Sequence, residues 1–276
     1  MKKFGLMLLI ALGLVGCSTK FVYNNMDWLL VRYLQDYVEL DDDQESLASE
    51  KIATLSQWHR EQEIPHYIEH LDELMAIEPD KFTVDDLISE QQKLEAHTTR
   101  LVAKVTPELY ELASQLSDEQ VEELMDNIRV KHTQYKKRYQ DLSEEAIRQR
   151  YKTRIEENIE TWIGDLTDEQ QLIVDQWVAD MTLTNQDWVA HQTRMRVELN
   201  ALLAVRVEPS LFQPKLQSLM DTPDKLYSAD LEQKIEYNQQ LSRRYLVTII
   251  NSMTPDQTAH YRQEIQEWKE IALSIR

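Results

Sequence analysis

The chain has 276 residues and a formal net charge of −19, with 49 acidic and 30 basic side chains. Its length allows one domain or two small ones with a sizeable core. The acidic balance argues against a nucleic-acid-binding protein and against a polybasic membrane binder, because both need an excess of Lys and Arg.

Glycine is scarce, and the four glycines are Gly5, Gly13, Gly16 and Gly164. Tight turns, β-bulges and phosphate-binding loops depend on glycine. A β-rich fold, a P-loop or a dinucleotide-binding loop is therefore disfavoured. The chain is instead rich in Glu, Gln, Leu, Lys, Arg and Ala, which favour helices. This composition predicts an all-α fold, a multi-helix bundle with long helices.

The N-terminal residues have the pattern of a lipoprotein signal peptide. Two lysines, at positions 2 and 3, precede an apolar stretch that ends in Leu14-Val15-Gly16-Cys17, a lipobox. The stretch is too short to span a bilayer, which takes about 20 residues. We therefore expect cleavage of residues 1–16 and acylation of Cys17, the only cysteine, with diacylglycerol and an N-terminal acyl chain such as palmitate.

The residue after Cys17 bears on the membrane that carries the anchor. In the Gram-negative lipoproteins that this segment resembles, an Asp after the Cys favours retention in the inner membrane, and here Ser18 stands in that place. The resemblance implies the outer membrane, with the protein facing the periplasm.

A helix is predicted almost directly after the anchor, because residues 17–22 form only a very short tether. The spacing of apolar residues from Tyr23 to Val38 places bulky groups on one helical face. Two interpretations remain open for the helix at 23–38. Its apolar face packs in the core of a domain close to the bilayer, or it rests on the lipid.

Four further helix starts share one plan, in which a capping residue is followed three residues later by Gln. This is a capping box, in which the cap and the Gln satisfy each other's backbone amides. The pairs are Asp41/Gln44, Ser117/Gln120, Thr167/Gln170 and Thr254/Gln257. The Leu166-Thr-Asp-Glu-Gln170 form also resembles a signature of small helical periplasmic chaperones, which implies a chaperone-like function as an alternative.

Other residues predict where helices begin and end. Pro107 and Pro209 are expected in first helical turns, and Gly164 is expected just after a helix. No breaker interrupts the apolar pattern from Asp168 to Pro209, so one long helix is predicted there. The tryptophans lie at helical-period apolar positions, and we expect all six in the core. They are Trp28, Trp58, Trp162, Trp177, Trp188 and Trp268.

The chain aligns with itself at an offset of 144 residues. Pro65 then meets Pro209, and Pro79-Asp80-Lys81 meets Pro223-Asp224-Lys225. Within a helical domain covering 23–276, this internal repeat predicts two related units at about 40–120 and 166–257. The alternative is that helix-turn-helix sequences repeat without common ancestry.

One short motif has metal-ligand spacing. His66 and His70 stand four residues apart with Glu69 between them, as in the H-x-x-E-H pattern of inverzincin metalloproteases. No third ligand is identified, and solvated polar residues on a helix explain the same pattern. We therefore assign no metal site and keep metal binding through His66 and His70 as an alternative.

A basic segment at 129–154 departs from the acidic background and is interleaved with Tyr135, Tyr139 and Tyr151. It predicts either a face for an anionic envelope partner or internal neutralisation of neighbouring acids. Its cations are Arg129, Lys131, Lys136, Lys137, Arg138, Arg148, Arg150, Lys152 and Arg154.

Several short motifs occur together along the chain. They are Cys17-Ser-Thr, Tyr23-Asn-Asn-Met-Asp-Trp-Leu-Leu30, Trp58-His-Arg60 before Pro65, and Trp162-Ile-Gly164 with Leu166-Thr167 and Gln170. In this combination the chain resembles a proteobacterial lipoprotein family classed as a domain of unknown function. The resemblance implies an outer-membrane lipoprotein and supplies no catalytic residues.

These observations predict a lipid-anchored protein that binds or scaffolds a component of the cell envelope and is not an enzyme. We assign no catalytic residue and no cofactor. The expected contacts are the membrane, through acyl chains on Cys17, and an unidentified protein or anionic envelope partner; nucleic acid is not expected.

Overall fold

A computed structural model of the chain describes Tyr23 and residues 25–276. Within these residues the chain is all-α and has no strand, which confirms the predicted fold class. The predicted signal peptide at 1–16 and the acylated Cys17 lie outside the described residues. The helices are α1 Met26–Gln35, α2 Asp42–Trp58, α3 Ile64–Met75, α4 Val84–Ser114, α5 Asp118–Gln140, α6 Glu144–Ile163, α7 Asp168–Asp180, α8 Asn185–Leu203, α9 Pro209–Asp221, α10 Ala229–Asn251 and α11 Pro255–Ile275.

Three short segments complete the helical path. A π-helical turn, His59–Glu63, joins α2 to α3 without a break. The two Pro-Asp-Lys corners form 3₁₀ helices, Pro79–Lys81 before α4 and Pro223–Leu226 before α10. Each corner turns the chain from a short helix into a long one.

All four predicted capping boxes are present. Asp41, Ser117, Thr167 and Thr254 each accept a hydrogen bond from the backbone N–H of their Gln, and each Gln side chain accepts from the cap's N–H. Thr83 caps α4 in the same way with an Asp at the third position. These helix starts are therefore determined locally, by residues within one turn of each other.

The capping glutamines of α2 and α5 also bind each other. Gln44 Nε2 donates to Gln120 Oε1 at 2.9 Å, and Gln120 Nε2 donates to Gln44 Oε1 at 2.6 Å. Each amide makes a further bond to a backbone carbonyl beside the partner's helix, of Gln115 at 2.9 Å and Glu39 at 2.7 Å. Two helix starts 76 residues apart are thus joined by a closed ring of amide bonds.

The same arrangement joins α7 to α11. Gln170 Nε2 donates to Gln257 Oε1 at 2.9 Å, and Gln257 Nε2 donates to Gln170 Oε1 at 2.8 Å. The further carbonyl acceptors are those of Ser252, at 3.4 Å, and Asp165, at 2.9 Å. In all four cases the acceptor lies two residues before the partner's capping residue. The same pattern therefore joins helices within the first part of the chain, α1–α5, and within the second part, α6–α11.

Hydrophobic clusters connect these two parts. Phe212 of α9 packs with residues of α4 that include Leu109 and Tyr110, and Val247 of α10 packs with Phe82 and residues of α4. The remaining large cluster lies among α6, α7 and α10 and contains Ile159, Ile163, Leu166, Val174, Trp177, Val178, Leu241 and Ile249. The contacts across the two parts bury their apolar faces against each other, which stabilises the assembled fold.

The predicted long helix from Asp168 is wrong, because the chain leaves the helical path between α7 and α8. Arg148 of α6 donates to the carbonyls of Val178, at 2.6 Å, and Met181, at 3.0 Å. Asn238 of α10 binds both backbone polar groups of Thr182, accepting from its N–H at 2.9 Å and donating to its carbonyl at 2.7 Å. Side chains from elsewhere in the fold therefore replace the helical hydrogen bonds at the break.

Two other expectations need correction, and one is confirmed. Pro107 lies inside α4 instead of beginning a helix, so α4 runs unbroken for 31 residues, about 46 Å. Trp177 is buried, but Trp28 and Trp162 are exposed and do not belong to the core.

Gly164 ends α6 with φ +77°, a conformation that favours glycine, as the sequence indicated.

We expect Gln170→Ala to lower the free energy of unfolding by about 2–4 kcal/mol, because each polar atom of the buried Gln257 amide loses one of its two partners and the backbone N–H of the cap Thr167 loses its acceptor. Urea unfolding followed by circular dichroism measures the change. Gln176→Ala, at an exposed position on the same helix, is the matched control and should change stability by less than about 0.5 kcal/mol. Equal effects of the two variants would contradict a stabilising role for the glutamine pair.

Candidate functional site

Buried ionisable side chains concentrate where α2 passes through the π-helical turn into α3. Glu63 and His70 face α4, which contributes Glu90, His97 and Arg100. His59, one turn before Glu63, faces Tyr23 and Tyr67. Glu63 is only 1 % exposed. π-Helical turns often occur at functional sites because they re-aim side chains. We call this group, with Tyr23 and Tyr67, the histidine column: Tyr23, His59, Glu63, Tyr67, His70, Glu90, His97 and Arg100.

Glu63 is held as a carboxylate by Arg100. Arg100 Nε donates to Glu63 Oε2 at 2.8 Å, and Nη2 donates to Oε1 at 2.6 Å. Burial by itself raises the pKa of Glu63, but the hydrogen bonds and charges of Arg100 and His97 outweigh burial, and the pKa is lowered. The pair is a two-pronged, charge-assisted contact in the interior.

The two histidines continue the polar contacts from Arg100 to Glu90. His97 Nε2 lies 3.1 Å from His70 Nδ1, and His70 Nε2 lies 2.7 Å from Glu90 Oε2. Arg100 Nη2 lies 2.6 Å from His97 Nδ1. With the proton on Nε2 of both rings, every donor points the same way, from Arg100 through His97 and His70 to Glu90. Burial lowers the pKa of His97, which is consistent with a single proton on that ring.

A second proton arrangement is available to His97. Its Nδ1 also lies 2.8 Å from Glu63 Oε1, a contact that is favourable only when Nδ1 carries a proton. An additional proton on the two rings would therefore bind both carboxylates, Glu63 at one end and Glu90 at the other. His97 Nδ1 thus has two alternative partners, Arg100 when it carries no proton and Glu63 when it carries one.

The other end of the histidine column reaches Tyr23. The hydroxyl of Tyr23 lies 2.7 Å from His59 Nδ1, and the hydroxyl of Tyr67 lies 3.4 Å from His59 Nε2. Burial lowers the pKa of His59 and raises the pKa values of both tyrosines. The Tyr67 ring also packs edge-on against His97, with ring centroids 4.7 Å apart. A continuous set of polar rings thus runs from α4 to the first described residue of the chain.

The structure separates the two histidines of the H-x-x-E-H motif. His66 is exposed and lies 3.8 Å from Glu69 of its own helix, whereas His70 is buried and bound to Glu90 and His97. Among Tyr23 and residues 25–276, no group of three or more His, Cys, Asp or Glu side chains is arranged to hold a metal ion.

Sequence reasoning missed the histidine column, because its members were considered singly. A signal was present in the spacing of positions 59, 63, 67 and 70, which places four polar residues on one helical face. The spacing does not reveal the contacts with α4, because Glu90, His97 and Arg100 lie between 20 and 37 residues further along the chain than the residues they bind. Only the packing of α3 against α4 joins them.

Much of the basic segment at 129–154 is neutralised within the fold. Arg148 pairs with Glu144 and caps α7, and Lys152 pairs with Asp175 and Glu156. Arg150 donates to the carbonyl of Arg138 and lies over the ring of Tyr139. For Arg148, Arg150 and Lys152, these contacts support the interpretation that the positive charges are neutralised within the fold.

The end of α5 is different. Lys136, Lys137 and Arg138 are exposed, and their side chains make no ion pair with another described residue. Tyr135 lies partly buried beside them, and its burial raises the pKa to about 12, so the phenol is neutral. These three cations are available to an external partner.

The structure places the first helix partly in the core. Val31 and Val38 are buried, and Val31 packs with Ala48 and Ile52 of α2. Trp28 and Tyr33 are each 56 % exposed, although both are large and aromatic. The described helices include none that is long and apolar enough to cross a bilayer. The helix therefore uses one side for packing and presents another apolar side to the surroundings.

Two shallow clefts lie away from the histidine column. One, between α6 and α7, is lined by charged residues that pair with each other, including Arg148, Lys152 and Asp175. The other lies between α8 and α9 and includes Leu202, Leu219 and Lys215. Neither brings a nucleophile and a general base together in the way that catalysis of group transfer needs.

The fold and these sites define an all-helical domain with a buried histidine column and a half-exposed aromatic first helix. Residues 36–232 match the profile of a family described as a family of unknown function, DUF6279, and the chain belongs to this family. Comparisons with curated proteins and with solved structures found no match. The matched region leaves out the motifs from Cys17 to Leu30, so the lipoprotein character remains a prediction.

We expect Glu63→Gln to lower the free energy of unfolding by about 2–3 kcal/mol, because Arg100 and His97 lose a charged acceptor in the interior. Chemical denaturation measures the change. Glu61→Gln is the matched control, since Glu61 lies in the same π-helical turn but is exposed, and it should have little effect. Similar values for both variants would show that the carboxylate at 63 does not stabilise the column.

We expect stability to fall as the pH decreases below about 6.5. Burial lowers the pKa of His59, His97, His132 and His191, so the unfolded chain binds protons at these residues before the folded chain does. Each kcal/mol lost lowers the melting temperature by about 2–4 °C in a protein of this size. Glu63, whose pKa is also lowered, adds to the loss at pH values below its ordinary value of 4.5.

Thermal unfolding at pH 7.5 and 5.5 measures this dependence. His97→Gln should reduce the difference between the two melting temperatures. His66→Gln is the control, because His66 is exposed and its replacement should leave that difference unchanged. A melting temperature that does not fall at pH 5.5 would contradict the assignment of neutral, buried histidines.

Proposed function

We propose that the protein is an outer-membrane lipoprotein, anchored through acyl chains on Cys17 and facing the periplasm, and that it binds or scaffolds a component of the envelope without catalysis. The observation that carries this proposal is the distance between the lipobox and the folded body. Tyr23 stands six residues after Cys17 and is already buried, at 4 % exposure. A chain of six residues extends over about 20 Å at most.

This short connection supports a scaffolding function at the membrane surface. It does not favour a function in which the domain has to extend far from the membrane to contact a partner. The helical body begins at the membrane surface, and hydrophobic clusters and glutamine pairs hold its parts together. A body of this kind presents fixed surfaces at a fixed height above the bilayer. Those surfaces suit a stable partner in the envelope.

The two alternatives from the sequence gain less support. The Leu166-Thr-x-x-Gln170 pattern that resembles a chaperone signature has a structural explanation, because Gln170 is buried in its pair with Gln257. Metal binding through His66 and His70 needs both rings on one open face, and His70 points into the interior.

We further infer that the two parts of the chain are related units. The shared glutamine pattern and the paired Pro-Asp-Lys corners support this inference. At the same offset of 144, His97 corresponds to Leu241, which is buried in the core. The histidine column would then be a specialisation of the first unit, the one beside the anchor.

We expect the wild-type precursor, expressed in a Gram-negative host, to yield a chain that lacks residues 1–16 and carries acyl groups on Cys17. Intact-protein mass spectrometry and membrane fractionation measure both. Cys17→Ser should abolish acylation and release the protein from the outer-membrane fraction.

Ser18→Asp provides a positional control, because it keeps the acylated cysteine and should move the protein to the inner membrane. An unmodified wild-type chain that fractionates like Cys17→Ser would overturn the proposed anchor.

A further inference from the structure

We propose that the exposed aromatic side of α1 and the basic end of α5 form one surface that docks on the anionic headgroups of the membrane bearing the anchor. This inference rests on the proposed lipid anchor and adds an orientation to it. The tether of six residues keeps Tyr23, which stands three residues before α1, within about 20 Å of the acylated cysteine. The lipid surface is therefore the partner that this part of the protein meets first.

Helix α1 has more apolar surface than the core uses. Val31 is buried, while Trp28, Leu30 and Tyr33 are exposed. Trp and Tyr are favoured at the boundary between lipid and water, because their rings are apolar and their polar atoms remain hydrated. The guanidinium of Arg32 lies 5.5 Å from the centre of the Trp28 ring and adds a positive charge to this side.

Contacts between α5 and the α1–α2 connection show which way α5 runs. The backbone N–H of Glu39 binds Glu123 at 3.0 Å, the carbonyl of Tyr37 accepts from Asn127 at 2.9 Å, and the Lys131 ammonium lies 5.6 Å from the Tyr37 ring. Later residues of α5 thus meet earlier residues of the connection. The two segments run in opposite directions at this contact, and the positive charge of Lys131 is also close enough to Tyr33 of α1 to oppose the rise in the pKa of that phenol. Helix α5 therefore passes the C-terminal turns of α1 before it reaches its own C-terminal end.

That end of α5 carries Lys136, Lys137 and Arg138. They lie one to two helical turns beyond Lys131, a rise of about 8–10 Å. Acidic residues occupy the opposite end of the helix, beginning with Asp118 and Glu119. Helix α5 is therefore polarised in charge, and its positive end follows directly on the turn whose Lys131 lies beside Tyr37 and Tyr33.

Electrostatics explains why this polarity matters for orientation. A protein with a net charge of −19 is repelled by an anionic surface as a whole. Each Lys or Arg close to anionic headgroups contributes an attraction that falls off within a Debye length. The three cations and Arg32 select the one approach in which attraction outweighs repulsion, and Trp28 and Tyr33 then enter the interface.

The test uses the full lipidated protein, reconstituted into vesicles of phosphatidylethanolamine and phosphatidylglycerol. Acylation consumes the thiol of Cys17, the only native cysteine, so one introduced cysteine is the sole site for an environment-sensitive fluorophore. Leu30→Cys places the probe on the proposed surface. Leu172→Cys, at a position 68 % exposed on α7, places it elsewhere.

We expect quenching by bromine-labelled lipids to be at least three-fold stronger at position 30 than at position 172, with a blue-shifted emission only at position 30. In vesicles of phosphatidylcholine alone, the difference should shrink. The double variant Lys136→Glu/Lys137→Glu should reduce quenching at position 30 in anionic vesicles. Lys215→Glu/Lys225→Glu, which changes the net charge equally at exposed positions of the second part, should leave it unchanged.

The outcomes separate this inference from the proposed function. An acylated protein whose probe at position 30 is quenched no more than the probe at 172 would overturn the docking surface and leave the anchor intact. A protein without acyl groups would overturn the anchor. A blue shift at position 30 that grows with protein concentration in the absence of lipid would assign the surface to a second copy of the chain and overturn docking on lipid.

Discussion

Two pairs of glutamine amides, in which Gln44, Gln170 and Gln257 are buried and Gln120 is half-buried, hold the helix starts of this protein in register. A primary amide in the interior has to satisfy two N–H groups and one carbonyl oxygen, and an unsatisfied group is costly. Gln44 with Gln120, and Gln170 with Gln257, meet these demands within each pair and with nearby backbone groups. Because each glutamine also completes its own helix cap, local structure and long-range packing rest on the same side chain.

The position of the histidine column follows from this constraint. The pair at Gln44 holds the start of α2, and the π-helical turn at the end of α2 directs Glu63 and His59 to the interior. There the side chains meet α4 on one side and Tyr23 on the other. A polar interior next to the proposed anchor contrasts with the apolar cluster of α6, α7 and α10. The buried ionisable side chains of the histidine column are therefore concentrated between α2, α3 and α4, whereas the interior among α6, α7 and α10 is apolar.

The sequence predicts features that depend on neighbours within one helical turn. The all-α class, the four capping boxes and the helix end at Gly164 are of this kind, because capping and backbone preference are local effects. The pairing of the glutamines, the Arg100–Glu63 contact and the exposure of Trp28 depend on residues far along the chain. Apolar periodicity reports which side of a helix is apolar, and α1 shows that an apolar side need not be covered by the core.

The interruption between α7 and α8 has a consequence for the order of folding. It contains neither glycine nor proline, and its backbone is held by Arg148 from α6 and Asn238 from α10. A nascent segment without those partners has nothing to stop helical propagation through residues 181–184. The bend therefore depends on the docking of α6 and α10 and is not encoded within residues 181–184 themselves.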